Sequence, residues 1–157
     1  MKIIIATIGK TQDRELSPAI DRYVQRIGHY APFEYRQLAD VKTSKTTTAE
    51  RQKEAEGALL LQQVQPGDRL VLLDERGREF TSRQLAAYID KAMTELQRNL
   101  VFVIGGPYGF SPQVYARADA QIALSKLTLT HEMARLFFTE QVYRAFTILR
   151  GEPYHHD

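Results

Sequence analysis

The sequence predicts an α/β protein with a parallel sheet flanked by helices in one domain. Three short apolar runs lack the polar alternation of a half-exposed strand, which is typical of strands buried on both faces: Lys2–Ile8, Leu70–Leu73 and Leu100–Ile104. Stretches with apolar residues at helical spacing separate these runs, as in a doubly wound sheet. The 157 residues are enough to bury a core without disulfide or metal crosslinks.

Composition narrows the possible chemistry. The chain has no cysteine, which excludes disulfides, thiolate nucleophiles and cysteine metal sites. The net charge of +2 permits a nucleic-acid partner without requiring one. No apolar run approaches the roughly 20 residues that a membrane-spanning helix needs, and no signal peptide is evident. We therefore expect a soluble, cytoplasmic protein without a membrane partner.

Local sequence signals predict the helices and strands in the first half of the chain. The predicted features are a helix capped by Ser17-Pro18 and ending at Gly28, a strand Phe33–Ala39, a polar loop Asp40–Thr48, and a helix opened by a Thr47–Glu50 capping box and ending before Pro66. Lys42 and Lys45 on the polar loop could contact phosphate, although exposed lysines usually have no partner.

The second half repeats the alternation. The predicted features are a turn Asp74–Gly77, a helix capped by Thr81 and Gln84, a short helix begun by Ser111-Pro112, a strand Gln121–Leu124, a helix from about His131 to Leu149, and a tail Arg150–Asp157. Gly105-Gly106-Pro107 stops the central strand and lets backbone approach a ligand closely.

Three strand ends predict one pocket. Ligands bind beyond the carboxyl ends of parallel strands, where Leu73-Asp74, Gly105-Gly106 and Leu124–Leu129 lie. The chain has no Walker loop, no dinucleotide fingerprint, no nucleophile elbow, and no carboxylate–histidine cluster with metal-ligand spacing. These absences weaken hydrolase, kinase and dehydrogenase interpretations.

The last helix and the tail leave two questions open. The helix is apolar on two sides, so its second side could meet another subunit across a two-fold axis. Glu140 and Arg144 are four residues apart, and they are either a structural ion pair or site residues. The tail is either a frayed terminus or, with Tyr154 and His155, a cover folded over a pocket.

Four motifs together resemble the RlmH family. They are Phe102–Gly109, Ser125–His131, Glu140–Ala145 and Pro153–His155, and the resemblance covers essentially the whole chain. Members of this family are SPOUT-class methyltransferases that modify the N3 atom of a pseudouridine in large-subunit ribosomal RNA. The resemblance implies one SPOUT domain over residues 1–157, a homodimer, a trefoil knot at about residues 70–157, and the assembled ribosome as the substrate.

The resemblance also implies functional residues. S-adenosylmethionine would be bound by Leu73, Gly105, Leu124, Ser125, Lys126, Leu127, Thr128 and Leu129. Arg144 would stabilise charge on the base or hold a phosphate, Tyr154 and His155 would position the base, and His155 would be the better proton acceptor. Glu140 would orient Arg144, and the tail would complete the partner subunit's pocket. His156 and Thr130 depart from the common family pattern, which often has Lys or Arg and Pro at these positions.

Other functions remain as alternatives. The chain could be a ribosome-associated factor with a vestigial pocket, a small nucleotide- or flavin-binding domain, or a SPOUT methyltransferase with another RNA target. The sequence does not identify the nucleotide, the need for pseudouridine over uridine, or the proton acceptor.

Overall fold

The computed structural model describes residues 1–157 and contains one five-stranded sheet. The strands are β1 (Ile3–Ile8), β2 (Phe33–Leu38), β3 (Arg69–Glu79), β4 (Leu100–Ile104) and β5 (Ala120–Ala123). The helices are α1 (Leu16–Ile27), α2 (Ala49–Gln62), α3 (Ser82–Glu95), α4 (Pro112–Arg117) and α5 (His131–Leu149). The strand order is β2-β1-β4-β3-β5, and every pair is parallel, which confirms the predicted fold class.

Two apolar cores lie on opposite faces of the sheet. One joins the sheet to α3 and α5, and its centre is an edge-to-face contact between Phe102 and Phe138 with ring centroids 4.8 Å apart. The other lies beneath α2 and α4 and includes Leu60 and Val114. All residues of β1 and β4 are buried, because both strands have helices on both faces. None of the helices is both long and apolar enough to span a membrane.

Two helix caps differ from the sequence prediction. Helix α1 begins before Ser17, because the Asp13 carboxylate accepts the free backbone N–H groups of Glu15 (2.8 Å) and Leu16 (3.2 Å). Thr48, rather than Thr47, caps α2 by accepting from Arg51 N. The Thr81–Gln84 capping box of α3 is present as predicted.

The predicted turn Asp74–Gly77 is wrong. Strand β3 runs on to Glu79, with a register shift between Leu73 and Arg78 along β5. A Cβ at Gly77 would lie 2.6 Å from the backbone N of Ile122, so this glycine permits close strand contact rather than a turn. Lys42 and Lys45 are exposed on the loop between β2 and α2, and their contact with phosphate stays a prediction.

Candidate active site

A cavity of about 1280 Å³ lies at the carboxyl ends of β3, β4 and β5. It is lined by the end of the apolar part of β3, the loop after β4 and the loop after β5. All eight residues predicted to bind the cofactor line it: Leu73, Gly105, Leu124, Ser125, Lys126, Leu127, Thr128 and Leu129. The structure therefore brings these eight residues together, as the strand-end argument predicted.

The loop after β4 is shaped by its glycines. Gly109 has a φ of +79° and donates to the carbonyl of Gly106 (3.2 Å), which closes a tight turn. A Cβ at Gly105 would lie 3.0 Å from the ring of Phe110, so a side chain there would displace the ring. The turn therefore lines the cavity with its glycine backbone as well as with Pro107 and Tyr108.

The loop after β5 leads directly into α5. Leu127 N donates to Ser125 Oγ (2.9 Å), and the Leu127 side chain is 79% exposed. Thr130 caps α5 by accepting from Met133 N (3.1 Å). A hydroxyl thus caps the beginning of this helix. His131 also lines the cavity, at the first turn of α5.

Sequence reasoning missed a polar cluster on the cavity wall. The Tyr115 hydroxyl donates to Asp74 Oδ2, and Arg76 donates to the same hydroxyl (2.5 Å). Burial alone would raise the pKa of Asp74, but the hydrogen bonds from Tyr115 and Arg76 hold it below its usual range. Tyr115 lies on α4, 41 residues after Asp74, and no local pattern joins two residues so far apart.

The predicted catalytic residues form a second cluster on α5 and the tail. Arg144 donates to Glu140 Oε1 (2.6 Å) and to His155 Nδ1 (3.2 Å). The Tyr154 hydroxyl donates to the same Glu140 oxygen (2.9 Å), and the Arg144 guanidinium lies 4.7 Å from the Tyr154 ring centroid. The Glu140–Arg144 pair is therefore an ion pair that also contacts the tail.

The tail is tied down rather than frayed. Gly151 has a φ of +67° and turns the chain back along α5. Asp157 pairs with Arg83 (2.7 Å) and lies 2.8 Å from His155 Nε2. Burial first, and hydrogen bonds with Tyr23 and Glu140 second, raise the pKa of Tyr154 above its usual value, so its phenol stays protonated near neutral pH.

Hydrogen bonding assigns the tautomer of His155. Arginine N–H groups only donate, so Nδ1 is the acceptor beside Arg144. The ring proton of the neutral imidazole then lies on Nε2, where it donates to Asp157. Sequence reasoning did not include Asp157 in the site, although a carboxylate two residues after a histidine is a detectable signal.

The two clusters are separate within one chain. Glu140, Arg144, Tyr154 and His155 do not line the cavity, so the tail packs on its own α5 and does not cover its own pocket. Near the cavity, α5 exposes two large apolar side chains, Met133 (41% exposed) and Phe137 (37% exposed). No group of three or more His, Asp or Glu side chains is arranged to hold a metal ion.

Two solved structures share this fold. A probable methyltransferase from Bordetella pertussis aligns with a TM-score of 0.57 at 12% identity, over 92% of this chain and 93% of the other. A probable methylase family protein from Haemophilus influenzae aligns with a TM-score of 0.54, also at 12% identity, over 99% of this chain and 70% of the other. At this identity the likeness concerns the fold alone.

Sequence comparison defines the family. Residues 1–155 match the family described as "Predicted SPOUT methyltransferase", and the chain belongs to that family. Two relatives named "Ribosomal RNA large subunit methyltransferase H" are each 52% identical to it. The relative from Parabacteroides distasonis aligns over all of both chains, and the one from Christiangramia forsetii aligns over 99% of each. These relatives confirm the resemblance to the RlmH family.

Proposed function

We propose that this protein transfers a methyl group from S-adenosylmethionine to large-subunit ribosomal RNA, at the N3 atom of a pseudouridine within the assembled ribosome. The observation that carries the proposal is the 52% identity, over the full length, to relatives named as large-subunit ribosomal RNA methyltransferases. The ribosome is then the partner, and the cytoplasm is the expected location.

The cavity fits S-adenosylmethionine in size and in chemistry. Its volume of about 1280 Å³ exceeds what a ligand of this size needs. The glycine turn and the 124–129 loop offer backbone donors and acceptors for an adenine and an amino-acid moiety. When bound, this molecule supplies a methyl group on a positively charged sulfur. Its adenosyl group carries no phosphate, in keeping with a chain that lacks a phosphate-binding loop.

The cluster of Glu140, Arg144, Tyr154 and His155, here called the tail cluster, supplies a proton acceptor and groups that hold the base. The N3 atom of pseudouridine carries a proton that must leave as the new N–C bond forms, so the reaction needs a proton acceptor. His155 Nδ1 carries no proton and accepts from Arg144, and Asp157 holds this tautomer. When Arg144 donates to the base instead, the Nδ1 lone pair is free to take the N3 proton. Arg144 stabilises negative charge on the base carbonyl oxygens, Tyr154 positions the base, and Glu140 orients both Arg144 and Tyr154.

The active site requires two subunits in this proposal. The tail cluster lies outside its own cavity, and α5 exposes Met133 and Phe137 beside that cavity. Burying these side chains across a two-fold axis would form a homodimer in which each tail completes the partner's pocket. The separation of the two clusters within one chain is the support for this arrangement.

We also propose that residues 70–157 contain the trefoil knot of the SPOUT fold. The match of residues 1–155 to the SPOUT methyltransferase family supports this proposal. Knots are rare among protein folds, and no periodicity in the sequence indicates one.

Methylation assays with defined substrates test the function. The protein is incubated with labelled S-adenosylmethionine and intact ribosomes, isolated large subunits or bare ribosomal RNA, and the modified nucleotide is mapped. Label at N3 of one pseudouridine, with intact ribosomes preferred, is the expected result. Calorimetric binding of S-adenosylmethionine without any methylation would favour another RNA target. The absence of binding heat would favour a ribosome-associated factor with a vestigial pocket.

A further inference from the structure

Glu56 is a buried carboxylate directly behind the glycine turn of the cavity. It lies on α2 and is only 4% exposed. A Cβ placed on Gly106, which lines the cavity, would be 2.7 Å from Glu56 Oε2. The absence of a side chain at position 106 therefore allows the carboxylate to lie against the cavity wall.

The charge of Glu56 has no cationic partner in the chain. Its one hydrogen bond comes from the neutral Gln52 amide (3.1 Å), and it takes part in no ion pair. Lys53, one turn earlier on α2, pairs instead with the exposed Glu50 (3.3 Å). Two charged or titratable groups of other segments act on it: Asp40 before α2, and His131 at the start of α5.

Asp74 is a second buried carboxylate at the cavity, but its charge is balanced. Its side chain is 7% exposed, Arg76 forms an ion pair with it, and the Tyr115 hydroxyl donates to it. Glu56 has neither an arginine nor a hydroxyl on its second oxygen. A buried carboxylate without a cation is costly in its charged form, and a positively charged ligand in the cavity would stabilise that form.

We propose that Glu56 is the counter-charge for a cationic ligand of this cavity, and that it makes the cavity prefer a sulfonium donor over the neutral thioether product. The inference rests on the proposed function. When the S–CH3 bond breaks, the electron pair stays on sulfur and the methyl forms the new N–C bond, while the N3 proton leaves to the acceptor base. The positive charge at sulfur is then gone, together with its attraction to Glu56. Glu56 thereby acts as a specificity residue that helps product release.

The same arrangement couples ligand binding to proton release. Burial raises the pKa of Glu56, and Asp40 raises it further, whereas Gln52 and His131 lower it. A cation bound beside Glu56 lowers that pKa, so the donor expels the carboxyl proton as it binds. The affinity for the donor should rise with pH through the pKa of Glu56, while the affinity for the thioether should not.

Calorimetry with two ligands tests this inference. S-adenosylmethionine and S-adenosylhomocysteine are titrated into the wild type, Glu56→Gln and the control Glu54→Gln, which removes an exposed carboxylate from the same helix. We expect Glu56→Gln to weaken S-adenosylmethionine binding by on the order of tenfold and to change S-adenosylhomocysteine binding by less than about twofold. Glu54→Gln should leave both affinities unchanged, because solvent screens its charge.

The ratio of the affinities for S-adenosylmethionine and S-adenosylhomocysteine shows whether Glu56 has an electrostatic or a structural role. Equal losses for both ligands in Glu56→Gln would make Glu56 a structural residue and overturn the inference. Retained binding of the thioether by the variant also shows that its pocket is folded. Titrations in buffers with different ionisation heats should show that the wild type releases a proton when it binds S-adenosylmethionine and releases none when it binds S-adenosylhomocysteine. If no proton is released with S-adenosylmethionine, binding is not coupled to the ionisation of Glu56. A wild type that binds neither ligand would contradict the proposed function itself.

Discussion

The Glu140 carboxylate shows how one side chain organises the predicted catalytic residues. It accepts from both Arg144 and Tyr154, so a single oxygen fixes a guanidinium and a phenol. Arg144 then lies against His155, whose other nitrogen is held by Asp157. Each group is oriented by a neighbour, which lowers the entropy lost when substrate binds.

Replacing His155 should remove the proposed proton acceptor and leave the cofactor cavity unchanged, because His155 does not line that cavity. We expect His155→Ala to reduce the methylation rate constant by about 10²- to 10⁴-fold, while calorimetry shows an unchanged affinity for S-adenosylmethionine. The control is His156→Ala, because His156 is exposed and makes no side-chain hydrogen bond. Methylation by His155→Ala at the wild-type rate would exclude this residue from the mechanism.

Replacing Gly106 should push the cavity wall against Glu56. The added Cβ of Gly106→Ala lies 2.7 Å from a carboxylate oxygen, so the turn must shift. We expect the affinity for S-adenosylhomocysteine to fall by about tenfold in Gly106→Ala and to recover in the double variant Gly106→Ala/Glu56→Ala. The neutral ligand is used because it does not respond to the lost charge. If the double variant bound S-adenosylhomocysteine as weakly as Gly106→Ala does, Glu56 would not be the group that clashes with the added Cβ.

At the scale of elements, β3 is the strand that sequence patterns described least well. Its first half is apolar and buried, and its second half contains Asp74–Gly77, which look like a turn. The strand continues because β5 packs beside it, and the missing side chain of Gly77 allows that contact.

A methyl group at Gly77 should therefore be poorly tolerated. The Cβ would lie within 2.7 Å of three backbone atoms of Gln121 and Ile122, and backbone cannot move aside as a flexible side chain can. We expect Gly77→Ala to lower the free energy of unfolding by more than about 3 kcal/mol, measured by urea denaturation. Gly28→Ala is the control, since Gly28 has a φ of −58° that alanine adopts freely, and its effect should stay below about 1 kcal/mol.

The edge strand β2 should make stability depend on pH in the acid range. Hydrogen bonding to Arg36 first, and to Lys2 as well, lowers the pKa of Glu34 from 4.5 to about 2. A lowered pKa means that the stabilisation is complete above about pH 4.5 and is lost as the pH falls towards 2. The side chain is 35% exposed, so solvent screening keeps the effect modest.

Thermal unfolding at a series of pH values measures this contribution. Between pH 5 and pH 2, the melting temperature of Glu34→Gln should fall less than that of the wild type. The difference should correspond to the stabilisation that one partly exposed ion pair contributes. If the melting temperatures of the two proteins fell equally with pH, Glu34 would not contribute to the loss of stability in acid.

At the scale of the whole molecule, the separation of the cavity from the cluster on α5 and the tail is the reason for proposing a shared site. The eight cavity residues and the four residues of the cluster on α5 and the tail belong to one chain but do not line one cavity. In the proposed homodimer, one subunit's tail would lie at the other subunit's cavity.

Mixed dimers test the shared site. Arg144→Ala removes a group of the cluster on α5 and the tail, and Gly105→Val fills the cavity, so each variant alone should be inactive. Random mixing makes half of the dimers mixed, and one of the two sites in each is intact, so about a quarter of the wild-type activity should return after unfolding and refolding the variants together. If each chain carried its whole site, the mixture would remain inactive.

Disrupting the exposed apolar face of α5 tests the same arrangement independently. Phe137→Glu should shift the protein to a monomer in sedimentation experiments, because a carboxylate cannot be buried at a dimer interface without a partner. Methylation should be lost with the dimer, while circular dichroism stays that of the wild type. A Phe137→Glu protein that remains dimeric would locate the interface elsewhere.

The sequence by itself determined the elements and the position of the pocket. Runs such as Leu100–Ile104 and caps such as Thr81 are local signals, since burial on both faces and capping depend on neighbours along the chain. The carboxyl ends of parallel strands must share one edge of the sheet, so three loops could be assigned to one cavity before any coordinates. The four motifs added the family, which the relatives confirm.

Only the tertiary structure decided the contacts between distant segments. Asp74 meets Tyr115 across 41 residues, Glu56 lies behind Gly106, and Asp157 pairs with Arg83. Such pairs depend on how elements pack in space, and a single sequence carries no local pattern for them. The same reason explains the failed turn at Asp74–Gly77, where packing against β5 outweighed the turn preference of the residues.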